Sequence, residues 1–138
     1  MRYMLLVYSK ENVLDSMSAE DALRIRQGHW AVMDQTSRQG IFRGAEPLKP
    51  THTATTVRTV DGKPLITDGP FAETKEQLAG YYILDCKDLD EAIQWAAKIP
   101  TGCLGGEGCI EVRPIHEIPQ PTDSAFYASR NTGGAAPY

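Results

Sequence analysis

Hydrophobic positions along the chain repeat with two different periods. Residues Arg2 to Tyr8 (RYMLLVY) are apolar on both alternating faces, with Tyr3, Leu5 and Val7 on one and Met4, Leu6 and Tyr8 on the other. Such a run predicts a strand covered on both sides. A polar connector runs through Ser16. Ser18 then reads as a helix N-cap, with Glu20 and Asp21 in the first turn where the helix dipole favours acids. Ala22, Ile25, His29, Val32, Met33 and Thr36 recur at three- and four-residue steps, giving one mostly apolar face, and Gly40 supplies a stop.

The segment Ile41 to Pro50, broken by Gly44, Pro47 and Pro50, reads as a connector. His52 to Val60 is β-branched and alternating, Asp61-Gly62 is a favoured hairpin dipeptide, and Lys63 to Thr67 returns as the paired strand. At the second Asp-Gly, Pro70 follows, which pushes Gly69 toward the extended region and makes a stiff kink. Leu78 to Asp85 predicts another strand, with Gly80 marking a bulge or a close backbone approach. Asp88 and Glu91 open a second helix with an apolar stripe of Leu89, Ala92, Ile93, Ala96 and Ile99, stopped by Pro100. Cys109 to Ile115 alternates as a last strand, at an edge because of Pro114.

The order is βαββαβ with an extra hairpin, which predicts an α+β fold of ferredoxin-like plan with two helices on one face of an antiparallel sheet. Two short helices cover one face only, so doubly apolar strands predict a homodimer pairing sheet to sheet. The domain is expected over residues 1–118, followed by a tail over 119–138 rich in Pro, Ser, Thr, Gly and Ala, with Phe126, Tyr127 and Tyr138 as its anchors on a partner subunit.

Composition narrows the partners. The chain has 138 residues, enough for a core without metals or disulfides, and a net charge of -4 without a basic block, so no nucleic-acid or anionic-membrane footprint is expected. The apolar run Met4 to Tyr8 is too short to span a bilayer, and no secretory signal is visible. The odd set Cys86, Cys103 and Cys109 argues against a disulfide framework and suits a reducing cytoplasm. Neither the cysteines nor His29, His52 and His116 have ligand spacing for zinc, so no metal or cofactor is expected. The histidines His52 and His116 are placed on strands. Gly102 to Gly108 resembles a phosphate loop in composition, but a helix leads in and a strand leads out, the reverse of what that chemistry needs.

Two residues stand out as candidate chemistry. Asp68 is a carboxylate on a stiff turn, beside Phe71 and before Glu73 and Lys75, suited to general acid or base work. An aspartate before glycine also commonly does no more than tie its own turn, here by accepting from the Phe71 N–H. His29 sits mid-face on the first helix and titrates near neutrality, although a histidine on an apolar stripe is usually a bonded core residue. Arg26, one turn earlier, is on the same side and suited to an anion.

The stretch Asp68 to Tyr82 (DGPFAETKEQLAGYY) resembles the signature of the DGPF group of the YCII-related family. Met1 to Tyr8, Asp88 to Ala97 and Ile110 to Ile115 resemble the same group's first strand, second helix and last strand. The resemblance implies a dimeric α+β barrel and a pocket between sheet and helices. It also implies a His–Asp active-site pair. Arg26-Gln27-Gly28-His29 is similar to the segment supplying the histidine, whereas the aspartate's usual place before a proline holds Ile99 here. Asp68 is therefore expected to take over the pairing with His29.

Two functions follow. One is a small cytoplasmic enzyme of lyase or isomerase type, using His29 and Asp68 on a small molecule. Tyr8, Trp30, Phe71 and Tyr81 would line its pocket, and Arg26 or Lys75 would hold an anion. The other is a non-catalytic module binding a small molecule or a transcription partner, favoured by the isoleucine at position 99.

Overall fold

Strand β1 (Arg2–Ser9) is the middle of the molecule. In the computed structural model, which describes residues 1–101 and 108–118, it pairs antiparallel with β5 (Gln77–Asp85) on one side and β6 (Cys109–Pro114) on the other. Strand β2 (Phe42–Pro47) adds to the far edge of β5, giving a four-stranded antiparallel sheet in the order β2-β5-β1-β6. Strands β3 (Thr55–Val60) and β4 (Lys63–Asp68) form a separate two-stranded hairpin. The architecture is α+β.

Strand β2 lies within the segment expected to be a connector. Its Gly44 and Pro47 obscure the alternation, but an edge strand tolerates both, because one of its backbone rows has no ladder to complete. The pairing Phe42↔Leu84, Ala45↔Tyr82 and Pro47↔Gly80 places those three β2 side chains on the core face. The short helix α1 (Glu11–Leu14) falls in the expected polar connector. His52 is in a 3-10 turn (Thr51–Thr53) and His116 follows β6, so neither is on a strand. The proline rule explains the first: Pro50 ends the extended run and fixes the turn's entry.

Helix α2 (Ala19–Arg38) begins where expected, with Ser18 Oγ accepting from the Asp21 N–H at 3.1 Å. Helix α3 (Leu89–Ala96) is capped by Asp88, which accepts from the Glu91 N–H at 2.9 Å, while Glu91 accepts from the Lys87 N–H at 2.7 Å. Its buried face is rotated from the expected stripe. Leu89 and Ile93 are exposed, and Trp95 turns inward with Ala92 and Ile99. A tryptophan buries more apolar surface than either aliphatic, so its position sets the roll of a helix this short.

Both helices pack on the sheet face carrying Tyr3, Leu5, Val7, Tyr82 and Leu84, and Val32, Ala92, Trp95 and Ile99 complete that core. At the crossing, a Cβ on Gly28 would come 2.5 Å from Pro100 Cγ, so only glycine lets helix α2 approach the end of the α3 segment this closely. Gly80 answers the expectation at its position twice. A Cβ there would sit 2.8 Å from the Glu46 backbone oxygen, and the β1–β5 register shifts between Val7 and Tyr8, directly beside it. Among the described residues no helix is long and apolar enough to cross a membrane. The glycine-rich turn with Cys103, and the tail with its three aromatic anchors, lie outside the described residues.

Candidate functional site

Small residues on the sheet leave a space under helix α2. The core-face positions Ala45, Pro47, Gly80 and Val7 cannot fill the gap that α2 spans, and the result is an apolar pocket of about 430 Å³. That volume is within the ~300–1,000 Å³ usual for small-molecule sites. Helix α2 contributes Arg26, His29, Trp30 and Met33, which share the pocket side of the helix through three- and four-residue spacing, with Arg26 and Trp30 at its exposed margin. Tyr82 closes the floor from β5. The bulge beside Gly80 lies at the same place, and bulges of this kind commonly re-aim side chains next to functional sites.

The polar centre is one contact. His29 Nδ1 lies 2.6 Å from the Tyr82 hydroxyl, and the two rings are stacked at 15° with centroids 6.0 Å apart. Burial lowers the His29 imidazole below its ordinary value, because the charged form loses hydration. The same cause pushes the Tyr82 phenol up to about 12. Both groups are therefore neutral at neutral pH. Arg26 makes no ion pair or hydrogen bond among the described residues, and Trp30 is 53% exposed at the pocket's mouth.

The residues expected to form the site divide into two groups. His29, Arg26, Trp30 and Tyr81 line the pocket, whereas Asp68, Phe71, Lys75 and Tyr8 do not. Asp68 is exposed at the end of β4 and makes no side-chain hydrogen bond among the described residues. The expected tie from the Phe71 N–H is therefore not made. Other groups hold the turn: Gly69 N–H donates to Ala54 O at 2.7 Å and Thr56 Oγ1 donates to Gly69 O at 2.8 Å. Gly69 is not extended as expected but has φ +95°, a conformation that a side chain rarely adopts. Phe71 is 76% exposed. Lys75 borders a different, polar recess with Lys10, Glu11, Thr51, Glu73 and Gln77. Tyr8 pairs with Cys109 and so shares the sheet face opposite the pocket with Met4 and Leu6. His29 Nδ1 has Tyr82 as its partner rather than Asp68.

The sequence does not point to Tyr82 or Ala45, and it marks Gly80 as a bulge or close approach rather than as part of a site. A signal for Tyr82 existed in the alternation of β5, because Tyr82 shares its face with Leu84 and hence with the helices. No signal existed for Ala45, whose strand was hidden by Gly44 and Pro47. Ile99, at the place where an acid was sought, is 5% exposed in the core beside Ala92 and Trp95.

The pattern of the YCII-related domain matches residues 1–119. This chain belongs to the YCII-related family. An uncharacterized protein of Rhizobium meliloti (strain 1021) is similar to it, 38% identical over 115 residues that cover 83% of this chain and 92% of the relative. This YCII-related chain thus shares nearly the whole length of that relative, and its pocket lies within the matched region.

Proposed function

We propose that this YCII-related protein binds a small, largely apolar molecule in the α2–sheet pocket, with His29 as its polar contact. The observation that carries this reading is a half-buried imidazole, bonded at one nitrogen to Tyr82, inside an apolar space of about 430 Å³. An imidazole whose second nitrogen has no partner among the described residues is set to meet something else there.

The experiment is a thermal-shift and NMR screen of small metabolites on the wild type, His29→Gln and Asp68→Asn. A ligand that binds wild type and Asp68→Asn, and loses about tenfold or more in affinity on His29→Gln, supports the pocket. Binding unaffected by His29→Gln and abolished by Asp68→Asn contradicts it.

A second reading is proton transfer of lyase or isomerase type by His29 with Asp68. The titration of an imidazole near neutrality favours it. In a single chain Asp68 is outside the pocket lining, so this reading requires that a second copy bring its hairpin to the pocket. The same reading takes the β2-β5-β1-β6 order as ferredoxin-like and the chain as a DGPF-group member. It pairs the face of Met4, Leu6, Tyr8 and Ile83 with that of a second copy as a dimeric barrel in the cytoplasm. Turnover by wild type that His29→Gln and Asp68→Asn both abolish would establish it; a monomer by sedimentation would rule it out.

A further inference from the structure

We infer that Tyr82 holds His29 as the Nε2–H tautomer, which makes the pocket a donor-only site for the carboxylate of an apolar acid. The inference rests on the pocket reading above and names the class of molecule that reading leaves open.

It starts from a count of hydrogens. The Tyr82–His29 contact at 2.6 Å has two possible directions. If the imidazole donated from Nδ1, the phenol hydrogen would need an acceptor of its own. Tyr82 is 4% exposed, and His29 is the hydroxyl's sole partner among the described residues. A neutral phenol has one hydrogen to give, and a neutral imidazole has one acceptor nitrogen to take it. The hydroxyl therefore donates to Nδ1, and the ring proton is on Nε2.

The consequence is chemical. His29 presents N–H rather than a lone pair to whatever enters. Arg26, one helical turn away along the same pocket wall, carries only donors and has no acidic partner among the described residues. Glu46, the one acidic residue bordering the space among the described residues, pairs with Tyr81, and its side chain therefore alternates to the face opposite Ala45 and Pro47. Among the described residues, two donors and no side-chain carboxylate face an otherwise apolar space. A carboxylate attached to an aromatic or aliphatic body satisfies both. An amine would meet only donors, and a neutral amide would lose the charge-assisted bond to Arg26. His29 in this state is a positioning donor; service as a base would require the Tyr82 hydroxyl to turn away and leave its hydrogen unpaired.

The test has two arms. Nitrogen-15 NMR of the ring, on the full chain without ligand at neutral pH, is expected to show a pyrrole-like Nε2 and a pyridine-like Nδ1 for His29, with the two forms mixing in Tyr82→Phe. Calorimetry then compares 3-phenylpropanoate, octanoate, 3-phenylpropanamide and 3-phenylpropylamine. One of the two carboxylates is expected to bind roughly tenfold or more tightly than the amide, and the amine not at all. Arg26→Gln is expected to remove most of the gap between acid and amide while leaving amide binding in place. An Nδ1–H tautomer, or an amine that binds as well as the acid, overturns the inference. Binding of the amide alone overturns the inference and leaves the pocket standing. Binding of none of the four overturns the inference, and if the metabolite screen is also empty, the pocket reading falls with it.

Discussion

The pocket under helix α2 and the Asp-Gly-Pro-Phe turn are built on opposite principles. The pocket's polar group is half-buried, held by one short bond and surrounded by packed apolar walls from three strands and a helix. The turn's carboxylate is exposed, at the end of a hairpin whose Val57, Leu65 and Ile66 also face out. Burial changes what a titratable group can do, and of these two groups His29 is the one that is partly buried. In the single chain the acid–base candidate with an altered environment is thus His29, while Asp68 is a residue on a rigid support.

The difference can be broken at its structural root. Gly80→Ala puts a methyl 2.8 Å from the Glu46 backbone oxygen and 3.2 Å from Pro47 Cα, and backbone atoms cannot swing aside as a side chain can. A loss of about 1–3 kcal/mol is expected in urea denaturation, together with loss of pocket binding. Stability at the wild-type level would show that β2 does not hold the pocket's edge.

Tyr82→Phe removes one hydrogen bond and keeps the ring. The expected cost is about 1 kcal/mol, while His29 keeps the lowered pKa that burial gives it. A urea midpoint at the wild-type level would mean that the bond holds nothing in place.

The pH dependence of stability sharpens the comparison further. Burial sets the folded pKa of His29 below the ordinary 6.5, so the unfolded chain takes up the proton first. The stabilising neutral state is fully present above 6.5, and stability falls as the pH drops through that value, until the folded pKa is passed. Urea midpoints across this range are expected to decline less steeply in His29→Gln. Equal slopes in the two proteins would place the acid sensitivity elsewhere.

The smallest effect belongs to the turn. Asp68→Asn is expected to change stability by no more than about 0.5 kcal/mol, because its side chain is exposed and makes no hydrogen bond among the described residues. A larger loss in solution, present only at concentrations where the chain associates, would point to a second copy against the hairpin.

What the sequence made legible follows the range of the interactions involved. The cap at Ser18, the hairpin at Asp61-Gly62 and the alternation of β1 are local, and each is found where its residues place it. Asp61 and Gly62 both take positive φ, of 51° and 75°, as the tight hairpin requires. His29 was visible as a histidine on an apolar helical stripe. Its partner was not, because Tyr82 reaches it from 53 residues away. Strand β2 is not legible locally, because its extended state is imposed by the edge of β5 rather than by its own Gly- and Pro-broken residues. The stiffness of the turn is written locally in Asp-Gly-Pro, whereas a pocket is made by distant small residues such as Ala45 and Gly80 meeting across a sheet.

The central claim is that molecules enter at the His29–Tyr82 pocket and not at the turn. Amide shift mapping with 3-phenylpropanoate or with a ligand from the screen tests it most directly. The account predicts that the largest perturbations fall on His29, Trp30, Ala45 and Gly80, with Gly69 and Phe71 silent. Perturbations concentrated on Asp68, Gly69 and Phe71, with His29 unmoved, would contradict it.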